Sequence, residues 1–357
     1  MILKPNPGIS DITAYAGGQS TVEGIRLASN ESALGPSRQA VAAFRDASDG
    51  LQFYPDGGVQ ILRDTIAATY GLDPARIVCG NGSDELLTLL AGAYLQPGDE
   101  VLFSAHAFIV YRIAALANSA VPVSVGEKDL CADVDAMLAA VTPRTRIVYL
   151  ANPNNPTGSY LPHDEVRRLH AGLRADTLLV LDAAYAEYVR RNDYESGIEI
   201  VANFANVVMT RTFSKVHGLA GLRVGWAYCP AAVADVLNRV RGPFNVSGPA
   251  QHAAAAALKD RAHLEASVAH NERWLPWLVE NIRALGLRVR DSVGNFVLIR
   301  FADAAQARAA HAHLLSRGLI LRDLANYGLA DCLRMTVGTE DANRRAVAAL
   351  ADFVARA

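Results

Sequence analysis

Residues 207–215 read VVMTRTFSK: an apolar run that passes straight into a loop ending on Lys215. An apolar stretch with no polar alternation is the mark of a strand covered on both faces, as in a parallel sheet flanked by helices. The lysine is conspicuous. Of the 34 basic residues 30 are Arg, and Lys215 shares the chain with only Lys4, Lys128 and Lys259. Arginine stays charged, whereas a lysine amine can be deprotonated by its surroundings and act as nucleophile or base.

The same unit recurs on both sides. RIVCGNGS (76–83), EVLFSA (100–105), VPVSV (121–125), RIVYLANPNNPTG (146–158) and LLVLDAAY (178–185) each read as strand then loop. DELLTLLAGAYL, DVDAMLAAV and HDEVRRLHAGL read as helices between some of them. Strands alternating with helices predict an α/β fold with a mainly parallel, mixed seven-stranded sheet flanked by helices. The Gly- and Pro-rich start, residues 1–28, reads as an arm, residues 29–245 as the large domain and residues 246–357 as a smaller α/β domain. The latter opens with one long helical stretch, 250–286, in which Pro276 predicts a bend.

Composition narrows the function. The 357 residues are 51% hydrophobic and 20% charged, with a formal net charge of −2. That balance gives no electrostatic case for nucleic acid or an anionic membrane as partner. No apolar run approaches the length of a membrane span, and the N-terminus lacks a signal-peptide core. Cys79, Cys131, Cys229 and Cys332 are far apart, with no C-x-x-C or H-E-x-x-H, so no metal site or disulfide framework is read and a reducing cytoplasm is expected.

In open α/β sheets ligands bind at the carboxyl ends of the strands. There the chain places Gly82 and Ser83, then Asn155, Asp182 with Tyr185, and Thr212, Ser214 and Lys215, with Arg223 soon after. Taken singly each has a plainer reading: a helix cap for Asp182, a structural turn for GNGS, a surface amine for Lys215. Together they form a phosphate cradle, a buried carboxylate, a phenol, an amide and an amine. Pyridoxal 5′-phosphate needs such a set: a lysine for its aldehyde, an acid for its ring nitrogen, donors for its phenolic oxygen and a cradle for its phosphate.

These motifs identify the resemblance. ASNES, YPDGG, GNGSDE, NPNNPTG, LDAAYAEY, SKVHGLAGLRVG, GNFVLIRF, LILRDL and CLRMTVGT occur in the order seen in the class I/II, fold type I, pyridoxal-phosphate-dependent aminotransferases, over essentially the whole chain. ITAYAGG and LRMTVGT resemble the branch acting on histidinol phosphate. The resemblance implies that Lys215 carries the cofactor and moves the proton, and that Asp182 meets the pyridine nitrogen. It gives Asn155 and Tyr185 to the phenolic oxygen, and Gly82, Ser83, Asp84, Thr212, Ser214 and Arg223 to the phosphate. Phe108 would lie over the ring. Tyr54 would reach the phosphate of a neighbouring subunit, making a homodimer with shared sites. Arg334 would bind the anionic end of the substrate, with Arg322, Tyr15, Asn30 and Asn155 nearby. Without the resemblance, Arg334 would read as a structural ion-pair residue and Tyr54 as a turn aromatic. Two positions depart from the common pattern: DAAY stands where DEAY is frequent, and Phe108 where Tyr is frequent.

The implied reaction moves an amino group from L-histidinol phosphate to 2-oxoglutarate, giving imidazole acetol phosphate and glutamate. The rivals are an aromatic amino-acid aminotransferase, served by Phe244 and Asn245 near the pocket, a decarboxylase of a phosphorylated amino acid, and a catalytically dead binding protein. The intact Lys215–Asp182–Asn155–Tyr185–Arg223 set argues against the last.

Overall fold

The structure, a computed structural model, describes residues 3–14 and 23–356. Its centre is a seven-stranded sheet in the order Ile77–Gly80, Gly225–Tyr228, Val207–Thr212, Leu178–Asp182, Thr145–Ala151, Glu100–Ser104, Val121–Val125. Only Gly225–Tyr228 runs antiparallel to its neighbours. The fold is therefore the mixed, mainly parallel sheet that the strand-then-helix alternation predicts.

The unbroken apolar runs have a simple cause. Successive side chains of a strand point to opposite faces, and both faces here are covered. Leu179, Leu181, Val207 and Met209 enter one core, and Leu178, Val180 and Val208 the other. All five residues of Leu178–Asp182 and all six of Val207–Thr212 are buried. The two strands thus carry Asp182 and Thr212 to the end of the sheet with no polar residue spared for solvent.

The smaller unit is an antiparallel sheet in the order Arg288–Val289, Phe296–Arg300, Cys332–Thr336, Arg322–Asp323. Helices Arg261–Ala284, Ala304–Ser316 and Glu340–Ala355 close its core. Early in the chain, Ile25–Arg26 pairs in parallel with Leu319–Ile320, and Leu27 joins this same core. Residues 28–31 are thereby led past the carboxyl ends of the large sheet. Helix Gly248–Lys259 packs against helices Arg38–Asp46 and Gln60–Tyr70 and adds Ala250, Ala254 and Leu258 to the large sheet's core.

The long helical stretch is interrupted earlier than Pro276 suggests. Asp260 leaves helical geometry (φ −84°, ψ 71°), and its carboxylate accepts from the His263 amide, capping a second helix. Pro276 lies inside that second helix. An Asp that satisfies the free amides of a new first turn ends one helix and starts the next.

Gly225 sits where the antiparallel strand crosses the start of helix Ser83–Tyr94. A Cβ there would overlap the Ser83 amide and approach the Gly82 carbonyl carbon to 2.6 Å, and both neighbours are backbone. Gly225→Ala is expected to cost about 1–3 kcal/mol by overpacking, read as a lower denaturant midpoint, and to push the helix start out of place. Unchanged stability would show that the backbone yields freely here.

Candidate active site

The carboxyl ends of the parallel strands, the start of helix Ser83–Tyr94 and the small unit's sheet enclose a cavity of about 400 Å³. Ser83, Asp84, Phe108, Asn155, Asp182, Tyr185, Thr212, Ser214, Lys215, Arg223, Asn30, Arg322 and Arg334 all line it. Gly82 lies immediately behind: it has φ +83°, and a Cβ would collide with the Arg223 guanidinium. Only glycine meets both demands at once. Tyr54 is elsewhere, 82% exposed and stacked on Phe244 with ring centroids 4.6 Å apart. Tyr15 lies outside the described residues.

At one end the first amides of helix Ser83–Tyr94 face the cavity beside Arg223, which donates to Ser214 Oγ at 3.2 Å and to Asp84 Oδ2 at 2.9 Å. Ser214 N donates to Thr212 Oγ1 at 3.1 Å. Free helix amides, hydroxyls and a guanidinium make an anion cradle.

In the middle stands Asp182, 5% exposed. Burial pushes its carboxyl up to about 6, opposed by a hydrogen bond from Tyr111. Tyr111 Oη donates to Oδ2 at 2.7 Å and Thr210 Oγ1 to Oδ1 at 3.4 Å. Burial raises the neighbouring Tyr185 phenol to about 12, so it remains protonated. Its oxygen accepts from Asn30 Nδ2 at 2.8 Å.

Lys215 is half-buried, and its Nζ donates to the Ser29 carbonyl at 3.0 Å. Desolvation, aided by the Arg334 charge, lowers its amine to about 8. At the far end Arg334 and Arg322 are direct cross-strand partners, 5% and 9% exposed. Arg334 donates to the Ala28 carbonyl at 2.6 Å and to Asn155 Oδ1, and lies over the Phe296 ring at 5.4 Å. The arrangement offers two anion sites with a depressed amine and a buried carboxyl between them.

Sequence reading misses several residues of this site, three of them with functional side chains close to its chemistry. Glu31 and Tyr327 line the cavity, and Tyr111 contacts Asp182 from behind. The first belongs to a quoted motif, ASNES. The other two sit in segments whose aromatics look like ordinary core.

The family model for aminotransferase class I and II matches residues 22–350. A histidinol-phosphate aminotransferase of Paramagnetospirillum magneticum is 57% identical over 98% of both chains, and one of Rhodopseudomonas palustris is 55% identical over 99% of this chain and 98% of its own. This chain belongs to the histidinol-phosphate aminotransferases of class I and II. Among solved structures, histidinol-phosphate aminotransferase from Sinorhizobium meliloti, in complex with pyridoxal 5′-phosphate, matches with a TM-score of 0.93. It is 29% identical and covered to 99%, against 100% of this chain. An aspartate aminotransferase from Thermus thermophilus, 24% identical with a TM-score of 0.82, shares the fold.

The depressed amine gives a pH prediction. A cation disfavoured by burial is protonated below its pKa and neutral above it. In the cofactor-free protein, acylation of Lys215 by an amine-directed reagent, followed by peptide mass spectrometry, should rise with a midpoint near pH 8. Reactivity that rises only near pH 10, as for an ordinary lysine, would contradict the burial argument.

Proposed function

We infer that this chain transfers the amino group of L-histidinol phosphate to 2-oxoglutarate, yielding imidazole acetol phosphate and L-glutamate in histidine biosynthesis. It does so with pyridoxal 5′-phosphate held in the cavity. The observation that supports this substrate class most directly is the Arg322–Arg334 pair. Like charges directly opposite on neighbouring strands repel, and here both are buried. Both line the cavity, where an anionic ligand would offset that repulsion. One pocket must take a phosphomonoester in one half-reaction and a dicarboxylate in the other, and the planar guanidinium fork accepts two oxygens from either.

The residues present fit the cofactor. Asp182 lines the cavity as a buried acid suited to a ring nitrogen, and the cradle at Ser83, Asp84, Thr212, Ser214 and Arg223 suits a phosphate. When bound, pyridoxal phosphate supplies an electron sink for the bond broken at the substrate Cα. The chain does the rest. Lys215 Nζ holds the cofactor in the resting enzyme and afterwards takes the Cα proton and returns it. An amine near 8 is basic enough for that and still substantially free at physiological pH. Asp182 keeps the ring nitrogen protonated, because a cation beside it reverses the effect of burial and holds the carboxyl ionised. Asn155 and Tyr185 orient the phenolic oxygen, Phe108 covers the ring, and Arg334 with Arg322, Asn30 and Tyr15 takes the substrate's anionic end.

A homodimer with shared sites belongs to the same reading. Leu51, Phe53 and Tyr54 are 70%, 73% and 82% exposed, with Phe244 at 45% beside Tyr54. Such a cluster suits an interface, and a second copy of this chain is the occupant. Tyr54 would then reach the phosphate held by its neighbour. No helix among the described residues is long and apolar enough to cross a membrane, and the cytoplasm is the proposed location.

Substrate choice is settled by steady-state rates with histidinol phosphate, phenylalanine and tyrosine, each with 2-oxoglutarate. Histidinol phosphate should give the highest kcat/KM. A faster reaction with phenylalanine would replace this reading by an aromatic aminotransferase. Arg334→Ala should lower kcat/KM at least about tenfold in both half-reactions, from loss of a charge-assisted contact worth roughly 1.5–3 kcal/mol. Arg322→Ala should act more mildly. An effect on one half-reaction alone would separate the two anion sites.

Shared sites are tested by mixing. Tyr54→Phe and Lys215→Ala chains, each impaired alone, should regain activity together, since the mixed dimer concentrates both defects in one site and leaves the other intact. No recovery, or a monomer on sizing, would refute the shared site.

A further inference from the structure

We propose that Tyr111 is a positioning residue for transamination: its hydroxyl fixes Asp182 Oδ2 so that Oδ1 is presented, still charged, to the cofactor's ring nitrogen. The inference rests on the pyridoxal-phosphate reading and adds a residue with no contact to cofactor or substrate. Tyr111 is fully buried, and its 2.7 Å bond to the Asp182 carboxyl is much shorter than the bond from Thr210. The bond from Thr210 is long, at 3.4 Å, and weak. The Ala184 amide also supports the charged form, but without Tyr111 the carboxyl would lose its short side-chain bond and much of what keeps it in one rotamer and ionised in an apolar core.

The choice of a phenol has a chemical consequence. A buried carboxylate needs a strong donor. An arginine there would neutralise it and leave little charge for the ring nitrogen. Tyrosine donates a short, charge-assisted O–H···O bond while remaining neutral. Burial, reinforced by the carboxylate itself, raises the phenol far above its usual range, so the proton stays on Tyr111.

The ring is as firmly placed as the hydroxyl. It stacks on Tyr149 with centroids 4.6 Å apart and planes 5° from parallel, and the Tyr149 hydroxyl is tied to the Leu87 carbonyl at 2.8 Å. Phe108 meets the Tyr111 ring edge-on at 5.9 Å and 90°, and the Tyr111 amide donates to the Phe108 carbonyl at 3.1 Å. One turn of chain therefore carries both the residue that covers the cofactor ring and the residue that sets its acidic partner. The two are positioned together.

Tyr111→Phe removes only the hydroxyl and keeps the stack, so folding should survive. Losing a bond to the charged form raises the Asp182 pKa further. The apoprotein should then lose affinity for pyridoxal phosphate at higher pH on acidification than wild type, where the fall is expected near pH 6. The absorbance of the bound cofactor should show a shifted pH titration, and kcat should drop roughly tenfold with KM for histidinol phosphate little changed. Asp182→Asn should abolish the shift, and Tyr111→Phe should have no further effect in that background, as required of a residue that acts only through Asp182. An unshifted titration with unchanged kcat, or equal losses in both backgrounds, overturns the proposal. Wild type that binds no pyridoxal phosphate, or an Asp182→Asn variant indistinguishable from wild type, would instead overturn the cofactor reading beneath it.

Discussion

Everything in the site is arranged around a carboxyl group that should not be where it is. Asp182 ends a strand whose residues are all buried, at the point where the two cores of the large sheet meet the cavity. An isolated carboxylate there would protonate, and burial already carries it to about 6. The surrounding structure answers in two ways. From behind, Tyr111 supplies a neutral donor. In front, the cavity leaves room for a cationic group. Fixing Asp182 on a strand whose neighbours are locked in register with it, Ala151 on one side and Thr210 on the other, gives that charge a defined place.

The small unit supplies the complementary problem, an excess of positive charge. Arg322 and Arg334 come from adjacent strands and are held by the same register. The sheet sets the spacing of their backbones. Because Ile25–Arg26 pairs with Leu319–Ile320, residues 28–30 are drawn across the gap, where the Ala28 carbonyl meets Arg334, the Ser29 carbonyl meets Lys215 and Asn30 meets Tyr185. A short segment thus contacts both units and both ends of the chemistry. That explains why a stretch with so little apolar content is ordered beside the cavity.

Much of this was legible because it follows from local rules. Period and apolarity announce the buried strands, and polar residues at their ends announce the site. What was not legible is tertiary in origin. Tyr111 lies in FIVYRIAALA, where an aromatic on an apolar helix reads as core; its hydroxyl gains meaning only from a carboxyl 71 residues away. Tyr327 is likewise an aromatic in a loop until the small sheet brings it to the cavity. The helix break at Asp260 was hidden because alanine-rich sequence on both sides favours helix, and Pro276 drew the eye instead. Tyr54 is the reverse case. Sequence resemblance gives it a role that a single chain cannot display, because it is exposed and does not line its own cavity.

The charges of the cavity also tie its two anion sites to its amine. Four basic side chains line it against three acidic ones. Of the acids, Asp84 is bonded to Arg223, and Glu31 to Arg26 outside the lining set. The Arg334 charge adds to desolvation in lowering the Lys215 amine, and the charges of Asp84 and Glu31 partly offset it. An anion seated between the arginines cancels part of the repulsion and raises the amine again. Substrate binding and proton affinity at Lys215 are linked for that reason. The amine would be least basic with no anion beside Arg334 and more basic once one is seated there. An anion held by these arginines would thus also make the Lys215 amine more basic.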